Sequence, residues 1–418
     1  MLFRSGGGGL AGTDIAISKF NTDGTDFEYS TYLGGSADEL PHSLITDSTG
    51  VLYILGTTGS DDYPVTENAF QSNFAGGTPT PLPGIGINYA NGSDIVVSAL
   101  SSDGQDLLAS TYIGGSANDG TNTATELKYN YADEVRGEID LDADGNVLVA
   151  SCTNSGNFPV TEGVFQTTKG NGQDGVFFRL NPLMTNLEVS TFIGGNQEDA
   201  VYSIFVSPDG TLTVGGGTSS SDLDIPEGAY QNSYAGGEAD GFSMSFSSEA
   251  TEILNGTYLG TDAYDQIYFV ERDESGLPHV FGQTESTSDD LFFNADYGEA
   301  GMGMFITKFT ADFQSAQWST TWGNTSGVPP ISPVAFAVDI CNRIYLSGWG
   351  GIVNAQGSTE GLEVTEDALK TTTDGSDFYF LVLSEDASAL TFASFFGGDQ
   401  SAEHVDGGTS RFARGGKI

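Results

Sequence analysis

The sequence is poor in positive charge. Only 13 of its 418 residues are lysine or arginine, against 57 aspartates and glutamates, and the formal net charge is −44. Nucleic acids and anionic membrane surfaces are bound through basic faces, so neither is expected as a partner. No apolar run reaches the ~18 residues of a membrane-spanning helix, so membrane insertion is not expected. Strong acidity favours solubility, and we expect an extracellular or cell-surface setting.

Residues that commonly carry chemistry are also scarce. The two cysteines, Cys152 and Cys341, stand at unrelated positions of the chain, and we expect them to be unpaired. The three histidines, His42, His279 and His404, have no common context. The sequence contains no H-E-x-x-H, G-x-S-x-G or P-loop motif. We therefore expect no catalytic residues, no cofactor and no enzyme activity.

Glycine, in contrast, is abundant, and much of it belongs to a repeated phrase. "STYLGG" at 30–35 returns as "STYIGG" at 110–115 and "STFIGG" at 190–195, then more faintly at 256–261, 319–324 and 393–398. An apolar residue always precedes the first residue of the phrase by ten positions. Those first residues, used here as anchors, are Ser30, Ser110, Ser190, Gly256, Ser319 and Ala393. Such self-similarity is typical of repeat architectures.

Each repeat carries two hairpin patterns. One runs from an aspartate through a turn such as "SSDGQD" to the phrase itself, and the other is of the type "SLITDSTGVLYILGTT". Their arms are rich in β-branched and aromatic residues, and their turns contain Asp with Gly or Asn. Four short strands per repeat without helical periodicity predict an all-β fold, a β-propeller of four-stranded antiparallel blades. We assign residues 1–418 to this single domain. The glycines are expected to provide positive φ or close backbone approach at the crossover between blades.

The blade number depends on how the ends meet. If the chain starts with an outer hairpin at 14–33 and ends within an inner hairpin at 403–418, the two halves complete one blade, giving about six in all. Closure would remove two exposed sheet edges. Both ends resemble truncations, so we expect the export signal to lie outside this sequence. As an alternative to six blades, the parent protein has seven or more. Two insertions, at 76–92 and around 115–129, are expected in surface loops.

The run "STYLGGSADE…SLITDSTGVLYILGTTGSDDYPVTENAFQ…GSDIVVSALSSDGQDLLASTYIGG" resembles the bacterial SBBP-type β-propeller repeat. "DICNRIYLSGWGG" at 339–351 is similar to a variant found in large surface proteins of the Bacteroidetes, described as gliding-motility-associated or type IX-secreted. The resemblance covers nearly the whole chain and implies a propeller in an exported surface protein. It implies no catalytic activity.

A calcium site is one candidate for chemistry. The run "IDLDADGNV" places Asp140, Asp142 and Asp144 before Gly145, like the first half of a calcium loop. The distal acidic ligand is missing, since Ser151 stands at its position. The run also falls on a repeat turn, so a polar hairpin turn is the alternative.

A second candidate is an acidic loop ring that follows the glycine turns. Glu39, Asp119, Asp199 and Asp265 occur at equal distances after their anchors, so repeat symmetry places them on one face. They are expected either to cap loop amides or to form a cation-binding or partner-facing ring.

Three functions remain open. The first is a non-catalytic binding or scaffold module that meets a protein or glycan at a loop face. The second is a lectin-like carbohydrate-binding propeller, and the third is a propeller glycosidase or lyase with converging carboxylates. Trp318, Trp322 and Trp349 are expected in the core or between blades, with a sugar-stacking platform as the alternative. The oligomeric state does not follow from the sequence.

Overall fold

The computed structural model describes residues 12–83, 85–351, 354–355 and 357–398. This part of the chain is built from β-strands and a single short 3-10 helix, η1 (Tyr131–Val135). The strands, in chain order, are β1 (Ile15–Phe20), β2 (Phe27–Leu33), β3 (Glu39–Thr46), β4 (Leu52–Thr58), β5 (Thr80–Leu82), β6 (Ile87–Tyr89), β7 (Asp94–Leu100), β8 (Leu107–Ile113), β9 (Glu138–Leu141), β10 (Val147–Thr153), β11 (Asp174–Leu180), β12 (Leu187–Ile193), β13 (Asp199–Val206), β14 (Leu212–Thr218), β15 (Asp240–Phe246), β16 (Ile253–Leu259), β17 (Asp265–Arg272), β18 (Pro278–Thr284), β19 (Met304–Phe309), β20 (Ala316–Trp322), β21 (Ser332–Val338), β22 (Ile344–Trp349), β23 (Phe378–Leu383) and β24 (Leu390–Phe396).

Most of these strands form five four-stranded antiparallel sheets, each hydrogen-bonded in chain order. The sheets are blade 1 (β3–β4–β7–β8), blade 2 (β9–β10–β11–β12), blade 3 (β13–β14–β15–β16), blade 4 (β17–β18–β19–β20) and blade 5 (β21–β22–β23–β24). The first strands of successive blades contact one another, so they surround a common axis and the other strands lie further out. The predicted all-β propeller with four-stranded blades is therefore confirmed.

The blade number differs from the prediction. The expectation of about six blades is wrong, because the described residues form five four-stranded blades and β1 pairs with β2 in a separate two-stranded sheet. That hairpin packs Ile15, Ile17 and Leu33 against blade 1. The predicted partner of the hairpin, residues 403–418, lies outside the described residues.

The constant ten-residue offset in the sequence has a geometric cause. Each outer hairpin has a shift in strand register directly before the apolar residue that marks the offset. The shifts fall at Lys19/Phe20, Ala99/Leu100, Arg179/Leu180, Ser245/Phe246, Lys308/Phe309 and Val382/Leu383. A bulge at one repeated place fixes the register, and therefore the spacing between the apolar residue and the anchor.

The paired glycines after the anchor are required by close approach. A Cβ atom on Gly114 would lie 2.8 Å from Asp119 Oδ2 and 2.8 Å from Asp94 Oδ1, and one on Gly115 would lie 2.5 Å from the Cβ of Ser155. Positive φ, the other predicted reason, does not apply at these two glycines. Any larger residue would push the turn away from the strand that follows.

Apolar side chains fill the space between blades. Between blades 1 and 2, for example, Val97 and Ile113 share a buried cluster with Val149 and Phe178. The alternation of side chains along each strand gives every sheet two such faces. The three tryptophans are buried, as predicted for core residues, and Cys152 and Cys341 are both free thiols.

The second insertion is not a surface loop, which corrects the expectation from the sequence, whereas the first keeps one face exposed. One forms the β5–β6 hairpin, and the other carries η1 into the centre of the molecule. They meet where Val135 packs against Leu82, Ile87 and Tyr89. Surface placement was expected because the hairpins stay intact around the insertions, but the axis is a second place that can receive extra chain.

A buried ion pair ties the second insertion to distant blades. Arg136, 1% exposed, donates from Nε to Asp133 Oδ1, and its Nη1 donates to the Pro333 carbonyl at 3.0 Å. Its guanidinium carbon lies 3.9 Å from the ring centre of Tyr268, whose hydroxyl donates to Asp133 Oδ2 at 3.2 Å. Asn130 further donates to Asn354 at 2.7 Å. Blade 4 and blade 5 are thus joined to a segment that precedes blade 2.

Arg136→Ala should lower the free energy of unfolding by about 3–5 kcal/mol, because Asp133 would remain buried without its cationic partner. The measurement is urea unfolding followed by tryptophan fluorescence. Arg343→Ala is the matched control, since Arg343 also pairs with an aspartate, Asp339, but is half exposed. Equal stability of the two variants would contradict a central role for the buried pair.

Candidate functional site

A polar cleft of about 400 Å³ opens between blades 2 and 3. Four segments meet there: residues 123–126 of the second insertion, the end of β10, the loop before β11 and the turn that leads into β13. Most of the lining side chains carry hydroxyl, amide or charged groups. They belong to Thr123, Ala124, Thr125, Glu126, Asn154, Lys169, Asn171, Gly172, Gln173 and Glu198.

Gln173 holds the walls of the cleft together. It is 1% exposed, and its Oε1 accepts a hydrogen bond from the Thr123 amide at 2.8 Å. Its Nε2 donates to Asn122 Oδ1 at 3.0 Å, and its backbone amide donates to Glu198 Oε2 at 2.8 Å. Asn154 Nδ2 donates to the Thr123 hydroxyl at 3.0 Å. The insertion and the two flanking blades therefore form a preorganised wall.

The cleft has two acidic side chains and one basic side chain. Lys169, its single cation, donates to the backbone carbonyls of Gly170 and Gly172, so part of its hydrogen-bonding capacity is used within the loop. Glu126 is exposed and Glu198 is half-buried, and both offer carboxylate oxygens as acceptors. The cleft can therefore accept hydrogen bonds from hydroxyl or amine groups, and it offers little apolar contact.

Sequence reasoning missed this cleft. Most of its residues stand in one insertion and in the loop before β11, whereas Asn154 and Glu198 stand within repeated motifs at positions that vary between repeats. The available signal was the run "KGNGQD", where amide and basic residues replace the apolar "FAGG" of the equivalent loop in the preceding repeat.

The four residues of the acidic loop ring do not line this cleft. Glu39, Asp119, Asp199 and Asp265 are all buried, each in its own blade, and they do not converge. Each carboxylate accepts a hydrogen bond from a backbone amide of the preceding glycine turn. The donors are Gly35 to Glu39 at 2.9 Å, Gly115 to Asp119 at 2.7 Å, Gly195 to Asp199 at 2.8 Å, and Thr261 to Asp265 at 2.6 Å.

Hydroxyl groups from the second strand of the blade complete the caps. A Thr-x-Ser sequence supplies two donors to the same carboxylate in the first three repeats. The pairs are Thr58 and Ser60 to Glu39, Thr153 and Ser155 to Asp119, and Thr218 and Ser220 to Asp199. The carboxylate thus fastens the turn from one blade to the first two strands of the next.

Burial changes the acidity of these groups. It raises the pKa of Glu39, Asp119 and Asp199 to about 7, and it also raises the pKa of Asp265, although the hydrogen bonds oppose the shift. A second buried carboxylate contributes, since Asp94 lies close to Asp119 and both carboxylates face Gly114. The same pairing occurs between Asp174 and Asp199.

The candidate calcium residues are divided between two environments. Asp142 lies in the hairpin turn, where its Oδ1 accepts from the amides of Asp144 at 3.0 Å and Asn146 at 2.9 Å. Asp140 is buried, and its Oδ1 accepts from the Leu141 amide at 2.8 Å. Among the described residues, no group of three or more His, Cys, Asp or Glu is arranged to hold a metal ion. The calcium site stays a prediction.

Two of the three histidines are buried within the described chain. His42 Nε2 lies 3.1 Å from the Thr57 hydroxyl, and burial lowers the pKa of His279 to about 4. His404 lies outside the described residues. Neither buried histidine lies beside the carboxylates of the cleft, so neither forms a common site with it.

Comparison with protein families identifies the repeat. Residues 28–64 match the family model described as "Beta-propeller repeat", SBBP. The chain carries an SBBP repeat. The matched segment extends from β2 through β4 and includes Glu39, Thr58 and Ser60, the members of the first carboxylate cap. The repeat type expected from the sequence is therefore confirmed.

Similar solved structures are distant. A Bacteroides caccae protein of unknown function is 10% identical, with 93% of this chain and 92% of that chain covered and a TM-score of 0.44. A Dyadobacter fermentans protein of unknown function is 11% identical, with coverages of 86% and 95% and a TM-score of 0.41. A polysaccharide lyase described as an ulvan lyase is 10% identical, with coverages of 87% and 69% and a TM-score of 0.37. No curated protein matches the sequence.

In the described residues, no helix is long and apolar enough to cross a bilayer.

The carboxylate caps predict a pH dependence of stability. Asp199 has a folded pKa of about 7, above its ordinary value of about 3.9, so the folded state keeps a proton that the unfolded state releases. Its contribution is complete below about pH 4 and is lost as the pH rises through 7. Asp199→Asn should make the decline in unfolding free energy between pH 5 and 8 shallower, by up to about 1.4 kcal/mol per pH unit. Urea unfolding at several pH values measures this.

Asp144→Asn, at an exposed turn position, is the matched control and should leave the slope unchanged. An unchanged slope in Asp199→Asn would show that the buried carboxylate does not hold the additional proton.

Proposed function

We propose that the protein is a non-catalytic binding or scaffold module of an exported bacterial surface protein. The observation that carries this proposal is the filled axis. Propeller blades surround a central channel, and here η1 and the Arg136–Asp133 pair lie among the inner strands, with the β5–β6 hairpin packed against Val135. This placement supports a non-catalytic role, because the chain itself takes up space that a substrate would need.

The remaining recognition surface is the rim of the loop face. The cleft between blades 2 and 3 is open and polar, and its walls are fixed by Gln173. A rigid site of this kind suits recognition, because little conformational entropy is lost when a ligand binds. The net charge of −44 favours solubility and works against association with nucleic acid.

The exported setting rests on the repeat type and the acidity. We further propose a parent protein similar to the large gliding-motility-associated or type IX-secreted surface proteins of the Bacteroidetes, because "DICNRIYLSGWGG" resembles their repeat. Partners of such a module would be proteins or glycans of the cell surface and its surroundings.

A carbohydrate ligand is the second candidate, and the cleft is the observation that favours it. Amide and carboxylate groups hydrogen-bond well to sugar hydroxyls, and Asn154, Asn171, Glu126 and Glu198 provide them together. Aromatic side chains, on which sugar rings stack in many sites, do not line this cleft.

Both proposals can be tested on purified protein with a glycan array and a panel of glycosidase, lyase and esterase substrates. We expect no turnover of any substrate. If a glycan binds, Glu126→Gln combined with Glu198→Gln should weaken it about tenfold or more, the loss of two hydrogen bonds to charged acceptors. Glu162→Gln, an exposed carboxylate outside the cleft, is the control. Turnover that disappears in a carboxylate variant would identify an enzyme instead.

A further inference from the structure

The repeat makes it possible to compare the same position in every blade. The apolar residue ten positions before each anchor is fully buried in five repeats, and Phe20 is the exception, at 52% exposed. The buried equivalents are Leu100, Leu180, Phe246, Phe309 and Leu383. Tyr32 behaves in the same way, at 48% exposed, whereas its equivalents Tyr112, Phe192 and Tyr258 are 1% exposed. Within the part of the chain that the structure describes, the β1–β2 hairpin therefore has one uncovered apolar face.

Blade 5, the last blade in the chain, also exposes an apolar residue that is buried in the other repeats. The last residue of the outermost strand is at most 3% exposed in the other repeats, but Phe396 of blade 5 is 60% exposed. Its buried equivalents are Leu33, Ile113, Ile193, Leu259 and Trp322. Along β23, Phe378, Phe380 and Val382 are half-buried, whereas alternate residues of the strand are buried. Among residues 12–398, apart from the gaps given above, no sheet covers this apolar face of blade 5 either.

These two faces are of opposite kinds. At the junction of blades 1 and 2, the face that contains Val97 and Ile113 packs on the face that contains Val149 and Phe178. We name the first kind the trailing face and the second the leading face. The hairpin exposes a leading face, and blade 5 exposes a trailing face. The leading face of the hairpin consists of Ala16, Ser18, Phe20, Ser30 and Tyr32. The trailing face of blade 5 consists of Phe378, Phe380, Val382, Phe392 and Phe396.

We propose that these faces bind each other between copies of the chain, so that the protein associates head to tail. The occupant of each face is the other face of a second copy, because every blade junction within the molecule pairs one leading with one trailing face. The faces differ, so the contact is heterologous, and such contacts produce rings or open chains. The aromatic pair Phe20–Phe27, with ring centres 4.5 Å apart, would be the main anchor on the hairpin.

The charge of the molecule does not oppose this contact locally. The residues that define the two faces carry no ionisable charge at neutral pH, and beside them Lys19 pairs with Glu28 at 2.8 Å. The net charge of −44 lies elsewhere and is screened at about 0.15 M salt, where the Debye length is about 8 Å. We therefore expect association to strengthen as salt is added.

Light scattering coupled to size exclusion tests the proposal on the full chain, over a wide range of protein concentration. We expect masses that are multiples of 43.7 kDa and that rise with concentration and salt. Phe20→Ser and Phe396→Ser should each reduce assembly to a single 43.7 kDa species. Both positions are exposed, so folding should be preserved, and thermal unfolding checks this; Tyr32→Ser replaces Phe20→Ser if that variant fails to fold.

Mixing the two variants gives the sharpest result. Each retains the face that the other has lost, so an equimolar mixture should form dimers, although neither variant does so alone. Leu183→Ser, an exposed leucine in a turn of blade 2, is the control and should assemble like the unaltered protein. A 43.7 kDa mass at every concentration, or assembly that both face variants leave unchanged, would overturn the proposal.

Discussion

Each four-stranded blade in this protein has two apolar faces, and burying such a face requires a neighbouring sheet. A single four-stranded blade cannot meet this requirement alone, so the blades stack around an axis and share clusters such as the one that joins Val97 to Val149. The requirement also explains the repeated details. The bulge fixes which residues point to which neighbour, and the glycine turn brings consecutive blades close enough to pack. Carboxylates such as Asp119 then hold the turn in place through its amides.

The axis presents a second constraint. The first strands of the blades converge there, and the polar backbone and side chains that they present need partners in a place that water fills poorly. The second insertion supplies these partners. Arg136 reaches the backbone of blade 5, and Asp133 accepts from the hydroxyl of Tyr268 in blade 4. An ion pair removed from water adds little net stability by itself, but it fixes the position of the insertion among several blades. The insertion thereby links several blades at the centre of the molecule, and this is why we propose the rim as the recognition surface.

The sequence was informative wherever the repeat determined the structure. Recurring local patterns predicted the strand order, the four strands of each blade, the hairpin turns and the burial of the tryptophans. The patterns recur because each blade must pack against an equivalent blade. The blade number did not follow, since it depends on whether the hairpin that ends at Leu33 gains further strands. The second insertion was misplaced because its contacts, such as that of Arg136 with Pro333, are unique and far apart in the chain. Glu39 and Asp199 stand at equivalent positions of their repeats, but the repeat did not reveal their burial.

Hydrogen exchange measured by mass spectrometry tests the filled axis most directly. If the second insertion is part of the core, amides of residues 129–136 should exchange as slowly as those of the inner strand β17, since both open only when several blades separate. Arg136→Ala should speed exchange in both segments together. Fast exchange of residues 129–136 in the unaltered protein, at the rate of exposed turns such as that around Asp144, would show that the insertion lies outside the core and would contradict the account.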